Sequence, residues 1–174
     1  MQLAYVMSAD RGAMDRLLSA VAEVLEARGV ALAGVVQTNV DCERGGRCDM
    51  DLRILPGGGT VRISQSLGRE ARGCRLDTAA LEAAVAQVEA ALSATRAPEL
   101  MIVNKFGKHE ADGRGFRPVI GEALARGVPV LTGVNGMNEA RFVEFSGGAA
   151  ERLPAELDAI LNWVERARQT SDAA

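Results

Sequence analysis

The sequence has one histidine, three cysteines, no excess of basic residues and no long apolar run, and each shortage removes a class of function. One histidine leaves a serine or cysteine nucleophile a single possible imidazole base. Ser8, Ser64 and Ser66 lie near turns or strand ends, no Gly-x-Ser-x-Gly elbow occurs, and hydroxyls in such places are more often caps. Hydrolase chemistry of that kind is disfavoured. A formal net charge of -3 argues against non-specific binding to nucleic acid or to an anionic membrane, so any anion site must be local. No apolar stretch approaches the roughly 20 residues that span a bilayer. The start, Met1 to Asp10, has no basic n-region and reads as neither signal peptide nor anchor. A cytoplasmic protein is expected, with its cysteines as thiols and with neither nucleic acid nor membrane as partner.

What is present is an alternation of strands and helices within 174 residues, enough for one substantial core. Residues 1–168 read as a single α/β domain and 169–174 as a flexible C-terminal tail. Gln2 to Met7 is apolar, and Leu17, Leu18, Val21, Val24 and Leu25 then recur at helical spacing until Gly29. Val30 to Gln37 is the next strand. Met50 to Leu55 and Thr60 to Gln65 flank Pro56-Gly57-Gly58-Gly59 and read as an inserted hairpin. Asp77 is placed to cap a helix whose face is Leu81, Val85, Val88 and Leu92. There follow a strand over Leu100 to Asn104, a helix over Pro118 to Arg126, strands over Val128 to Gly133 and Arg141 to Phe145, and a helix over Pro154 to Arg168. The six methionines read as core filler, Phe142 and Trp163 as packing residues, with Trp163 also placed for a dimer contact. The sum is a mostly parallel three-layer α/β domain.

Two βα junctions carry the chemistry. The apolar strand ending at Asn104 runs into a loop with Lys105, Lys108, His109 and Arg114, at the place where open α/β sheets bind ligands. An anion is implied, against the plainer reading of a solvated basic turn. Lys105, Lys108 and Arg114 could surround a tetrahedral oxyanion or a phosphate, with Gly113 and Gly115 admitting the backbone. Glu110 is expected either to pair with one of these cations as a structural bridge or to do chemistry. The other junction, Ser8 to Asp15, stands where a phosphate-binding loop would read Gly-x4-Gly-Lys-Ser/Thr. Ser8 replaces the first glycine, Ala13 the second, Met14 the lysine, and Asp15 the hydroxyl that would hold magnesium. Losing the lysine removes a phosphate-neutralising charge, and a carboxylate at a helix start repels anions. Ser8, Asp10, Arg11 and Gly12 remain candidate anion or nucleotide contacts, against a plain βα turn in which Asp10 or Asp15 caps the helix.

Cys42 and Cys48 lie in a Gly-rich polar loop and Cys74 precedes the next helix, near Arg47, Arg72 and Arg75, which favour thiolates. The C-x5-C spacing is a weak signal. Without a fourth cysteine, a closed tetrahedral site would need Cys42, Cys48, Cys74 and His109 to converge. A thiolate set for a soft metal or cluster stands against unligated loop thiols.

In order, Gly34-Val35-Val36-Gln37-Thr38, the hairpin from Asp51 to Ser64 and the strand through Asn104 resemble the small bacterial and archaeal nucleoside-triphosphatases with a Rossmann-like P-loop fold. Asn104 stands where they hold a metal through Asp, and Lys105 where they carry a catalytic Glu. Cys48-Asp49-Met50, Ile63-Ser64-Gln65-Ser66-Leu67-Gly68, Gly73-Cys74-Arg75-Leu76-Asp77 and Asn104-Lys105-Phe106-Gly107-Lys108 are more closely similar to a bacterial family derived from that fold with degenerate motifs. The likeness runs to about Gly148 and implies a link to molybdenum uptake and homeostasis. It also implies a molybdenum or tungsten oxyanion, or a thiolate-bound metal cluster, as the bound species. Exchanging Asp-Glu for Asn-Lys reverses the sign of the strand end and disfavours magnesium. The expected function is a non-hydrolytic binding protein for an oxyanion or metal-sulfur species, as a homo-oligomer. The alternative is a nucleotide-binding enzyme with weak or altered phosphate chemistry, which Met14 and Lys105 oppose.

Overall fold

Four buried residues, Leu3–Val6 (β1), feed an amphipathic helix, Ala13–Ala27 (α1), that buries Leu18, Val21, Ala22 and Leu25. The computed structural model of the chain describes residues 2–10, 12–40, 49–65, 76–94 and 97–172. After α1 come β2 (Leu32–Val40), β3 (Asp49–Leu55), β4 (Thr60–Arg62), α2 (Thr78–Leu92) and β5 (Leu100–Phe106). Then follow α3 (Lys108–Ala111), α4 (Arg117–Ala125), β6 (Val130–Val134), α5 (Glu139–Phe145), β7 (Glu151–Leu153) and α6 (Leu157–Asp172).

The strands form one sheet in the order β4-β3-β2-β5-β6-β1-β7. Pairs among β2, β5, β6, β1 and β7 are parallel, and only the hairpin side is antiparallel. Because successive strand residues face opposite ways, the sheet builds two cores. Ala4, Val6, Leu100, Ile102 and Leu131 pack with residues of α1 and α6, whereas Tyr5, Met101, Val103 and Val130 pack with residues of α2, α4 and α5. Three layers result, with an inserted hairpin, as the strand and helix alternation predicts.

Three details differ from the sequence reading. Arg141 to Phe145 is helix, not strand: Phe142 N–H bonds the carbonyl of Asn138, and Phe142 packs its ring 5.0 Å from those of Tyr5 and Phe106. The closing helix α6 runs on to Asp172, so residues 169–172, expected as tail, are helical. Trp163 is buried within the chain's own core at 5% exposure and is not offered to a partner.

Sheet closure depends on Gly34. Its φ is +107°, and a Cβ there would overlap the backbone carbonyl of Ile102 on neighbouring β5. Both faults fall on the paired centre of the sheet. Gly34→Ala should therefore cost more than about 4 kcal/mol in urea unfolding and yield little soluble protein. Gly29→Ala, at φ +74° but with nothing within 4 Å, should cost only the left-handed strain of about 1–2 kcal/mol.

Candidate functional site

The carboxyl ends of β1, β5 and β6 lie on one edge of the parallel sheet, and the loop before α1 and the loop after β5 meet there. Ser8 Oγ accepts the Asp10 N–H at 3.2 Å, and the Asp10 carbonyl accepts the Ala13 N–H. Gly12 then turns left-handed, with φ 74°, into α1. Among the described residues no side chain caps α1, so neither Asp10 nor Asp15 has the capping role open to it from the sequence.

Asp15 and Met14 both turn inward. Met14, only 7% exposed, joins the apolar core beneath α1. Room for it comes from Gly133 on β6, where an added Cβ would overlap the Met14 sulfur and the Asn104 carbonyl. The side chain in the lysine position is therefore part of the core and reaches no phosphate. Asp15 is 5% exposed and Asn104 1%. Asn104 Nδ2 donates to Asp15 Oδ1 at 2.8 Å, and Lys105 Nζ lies 3.8 Å from the same oxygen. The other end of the amide, Asn104 Oδ1, is buried and finds no donor among the described residues.

The loop after β5 is braced from inside. Glu110, 4% exposed, accepts the Gly107 N–H at 2.9 Å and the Phe116 N–H at 3.3 Å. Its carboxylate holds backbone donors rather than the cation expected for it. Gly115 has to be glycine because a Cβ would overlap Glu110 Oε1, which replaces ligand access as its reason; Gly113, at φ +89°, has open space around it. Lys108 Nζ donates to Asp112 at 2.6 Å and Arg141 Nη1 donates to the same carboxylate at 2.8 Å. These two hydrogen bonds, Lys108 first, hold the Asp112 carboxyl below the usual carboxylate range. The pairing is complete at neutral pH and is lost only as pH falls through that lowered value.

His109 Nε2 lies 3.5 Å from Glu82 Oε1 on α2, and Arg114 lines an open cleft of about 510 Å³ between α2 and the 113–118 segment. The candidate residues thus separate by partner. Asn104 and Lys105 meet Asp15, Lys108 meets Asp112, His109 meets Glu82, and Arg114 faces the cleft without an ion pair to a described residue. Sequence reasoning missed Asp15 as a partner of Asn104, and Arg141 as a fourth cation of the rim. The first had a signal: a hydroxyl position has become a carboxylate while a carboxylate position has become an amide. That double exchange preserves a donor and an acceptor. Arg11, Cys42, Cys48 and Cys74 lie outside the described residues. Among the described residues no group of three or more His, Cys, Asp or Glu side chains is placed to hold a metal.

The family described as protein of unknown function (DUF2478) matches residues 3–163. The chain belongs to that family. It is also 35% identical over 167 residues to molybdenum import ATP-binding protein ModC 2 of Bradyrhizobium diazoefficiens, a match covering 92% of this chain. The chain spans 18% of the length of that relative. Among solved structures, that of a human cancer-related nucleoside triphosphatase is similar with a TM-score of 0.63 at 16% identity, covering 99% of this chain and 97% of the other. THEP1 from the hyperthermophile Aquifex aeolicus gives 0.62 at 14%, covering 95% and 96%. These likenesses establish the fold, that of the P-loop nucleoside triphosphatases. Among the described residues no helix is long and apolar enough to cross a membrane.

A magnesium nucleotide, which the fold family implies, does not fit the residues present in this family member. The lysine position is core methionine, and the two positions that would offer magnesium its oxygens are hydrogen-bonded to each other. Asp15→Ala would leave Asn104 Nδ2 buried without this acceptor, a loss of about 1–3 kcal/mol in urea unfolding. Asp15→Asn, which keeps an acceptor oxygen, should lose less.

Proposed function

We propose that the protein is a non-hydrolytic binding protein on a P-loop fold, holding a small oxyanion at the cationic rim of the sheet edge and acting in molybdenum handling. The observation that carries the non-hydrolytic part is the 2.8 Å hydrogen bond between Asp15 and Asn104, made where a hydrolytic site needs two metal ligands. Met14 in the core supports it, since no lysine at that position can neutralise a β- or γ-phosphate.

The rim supports the oxyanion. Lys108 and Arg141 share the one carboxylate of Asp112, leaving a surplus of positive charge there, whereas Arg114 lines the cleft against α2 together with Glu82 and Glu89. Arginine forks suit tetrahedral oxyanions. The molybdenum part rests on the likeness to a relative named for molybdenum import, with molybdate or tungstate as the bound species.

Protein purified from its own host without chelators should carry molybdenum by elemental analysis. Titration calorimetry should show molybdate or tungstate binding that Lys108→Ala or Arg141→Ala weakens about tenfold, as loss of a charge-assisted contact would. ATP and GTP turnover with magnesium should stay near background. Typical enzymes run at about 1 to 1,000 per second, so magnesium-dependent turnover near one per second would reverse the reading in favour of a nucleotide-binding enzyme.

A further inference from the structure

Asp112 holds the two cations of the rim as a bound oxyanion would. Its Oδ2 accepts Lys108 Nζ at 2.6 Å and its Oδ1 accepts Arg141 Nη1 at 2.8 Å, so each cation meets one oxygen. Two oxygens of a tetrahedral oxyanion can engage an ammonium and a guanidinium in the same way. Neither cation has another ion pair among the described residues, and both side chains are more than half exposed, open to a dissolved anion. The backbone of Asp112 is tied down separately: its N–H donates to the Lys108 carbonyl at 2.9 Å, and Glu110 braces the loop from within. Only the short carboxylate side chain has to turn for the cations to be released. Charge decides what can replace it. Lys108 and Arg141 carry two positive charges and Asp112 returns one. A monoanion offers no more charge than Asp112 does, and it must give up the translational freedom that a tethered side chain has already lost. A dianion neutralises both cations.

We propose that Asp112 is an internal competitor for the oxyanion and so sets the specificity of the rim, admitting dianions such as molybdate and tungstate and turning away monoanions of the same shape. The proposal rests on the oxyanion reading of the rim and adds the charge class of its ligand. The carboxyl of Asp112 is held below the usual range, first by Lys108 and then by Arg141, which keeps the competitor charged throughout the neutral range.

Molybdate and perchlorate are the probes, both tetrahedral, the first a dianion and the second a monoanion, compared by titration calorimetry at one ionic strength. Wild type should bind molybdate and show no saturable binding of perchlorate in the millimolar range. Asp112→Asn, which keeps the shape and removes the charge, should bind molybdate about tenfold more tightly and should also bind perchlorate. Adding Lys108→Ala and Arg141→Ala should abolish both gains. Asp112→Ala supplies the same comparison should Asp112→Asn misfold. A folded Asp112 variant that binds molybdate no more tightly than wild type, or more weakly, would overturn the proposal and leave Asp112 as a residue that merely orients the two cations. Wild-type protein that binds both anions equally well would also overturn it. Absence of molybdate binding in wild type and variant alike would overturn the oxyanion reading itself. Molybdate binding that Lys108→Ala and Arg141→Ala weaken but Asp112→Asn leaves unchanged would overturn this inference alone.

Discussion

The hydrogen bond from Asn104 to Asp15 joins the first turn of α1 to the end of β5, beside Gly133 of β6, and ties helix to sheet at the edge where the two loops meet. The bond matters because both side chains are buried, and an unmet buried donor costs about 1–3 kcal/mol. The bond therefore sets the distance between helix and strand. It depends in turn on Gly133, since a side chain on β6 at that point would displace Met14 and press on the Asn104 carbonyl. One glycine thus lets an apolar residue sink and a polar pair close above it.

The loop after β5 follows from the same economy of buried polar groups. Glu110 replaces backbone partners that the turn cannot supply, accepting the N–H groups of Gly107 and Phe116 and closing the segment upon itself. With that carboxylate engaged, Lys108 and Arg141 share Asp112 on the outside. Positive charge is thereby moved from the inner end of the strand to its rim.

Most of the fold was legible because its signals are local. Pro56-Gly57-Gly58-Gly59 between two strand patterns gives the β3–β4 hairpin, and Asp77 accepts the Ala80 N–H at 3.0 Å as a helix cap should. Residues 141–145 failed for the opposite reason. Val143 and the two phenylalanines carry strand propensity, but Phe142 is seated by Tyr5 and Phe106, residues far away in sequence, and tertiary packing overrides propensity. The site was half legible. That the phosphate-loop lysine and the acidic pair were altered can be seen position by position. That Asp15 answers Asn104 has only the double exchange as its signal, because 89 residues separate them and the sheet order brings them together.

The substitutions at the ligand edge make sense only as a set. A lysine at position 14 would bring an ammonium into a pocket shaped by Gly133 for a methionine, where burial without a partner is strongly unfavourable. An aspartate at position 104 would place a second carboxylate at hydrogen-bond distance from Asp15, which only a proton or a cation between them makes tolerable. A glutamate at position 105 would remove the ammonium beside that pair and add a third negative charge. Each residue is thus held by its neighbours, Met14 by the apolar core it belongs to and Asp15, Asn104 and Lys105 by one another. The fold shared with the nucleoside triphosphatases rests on the two apolar cores on either face of the sheet.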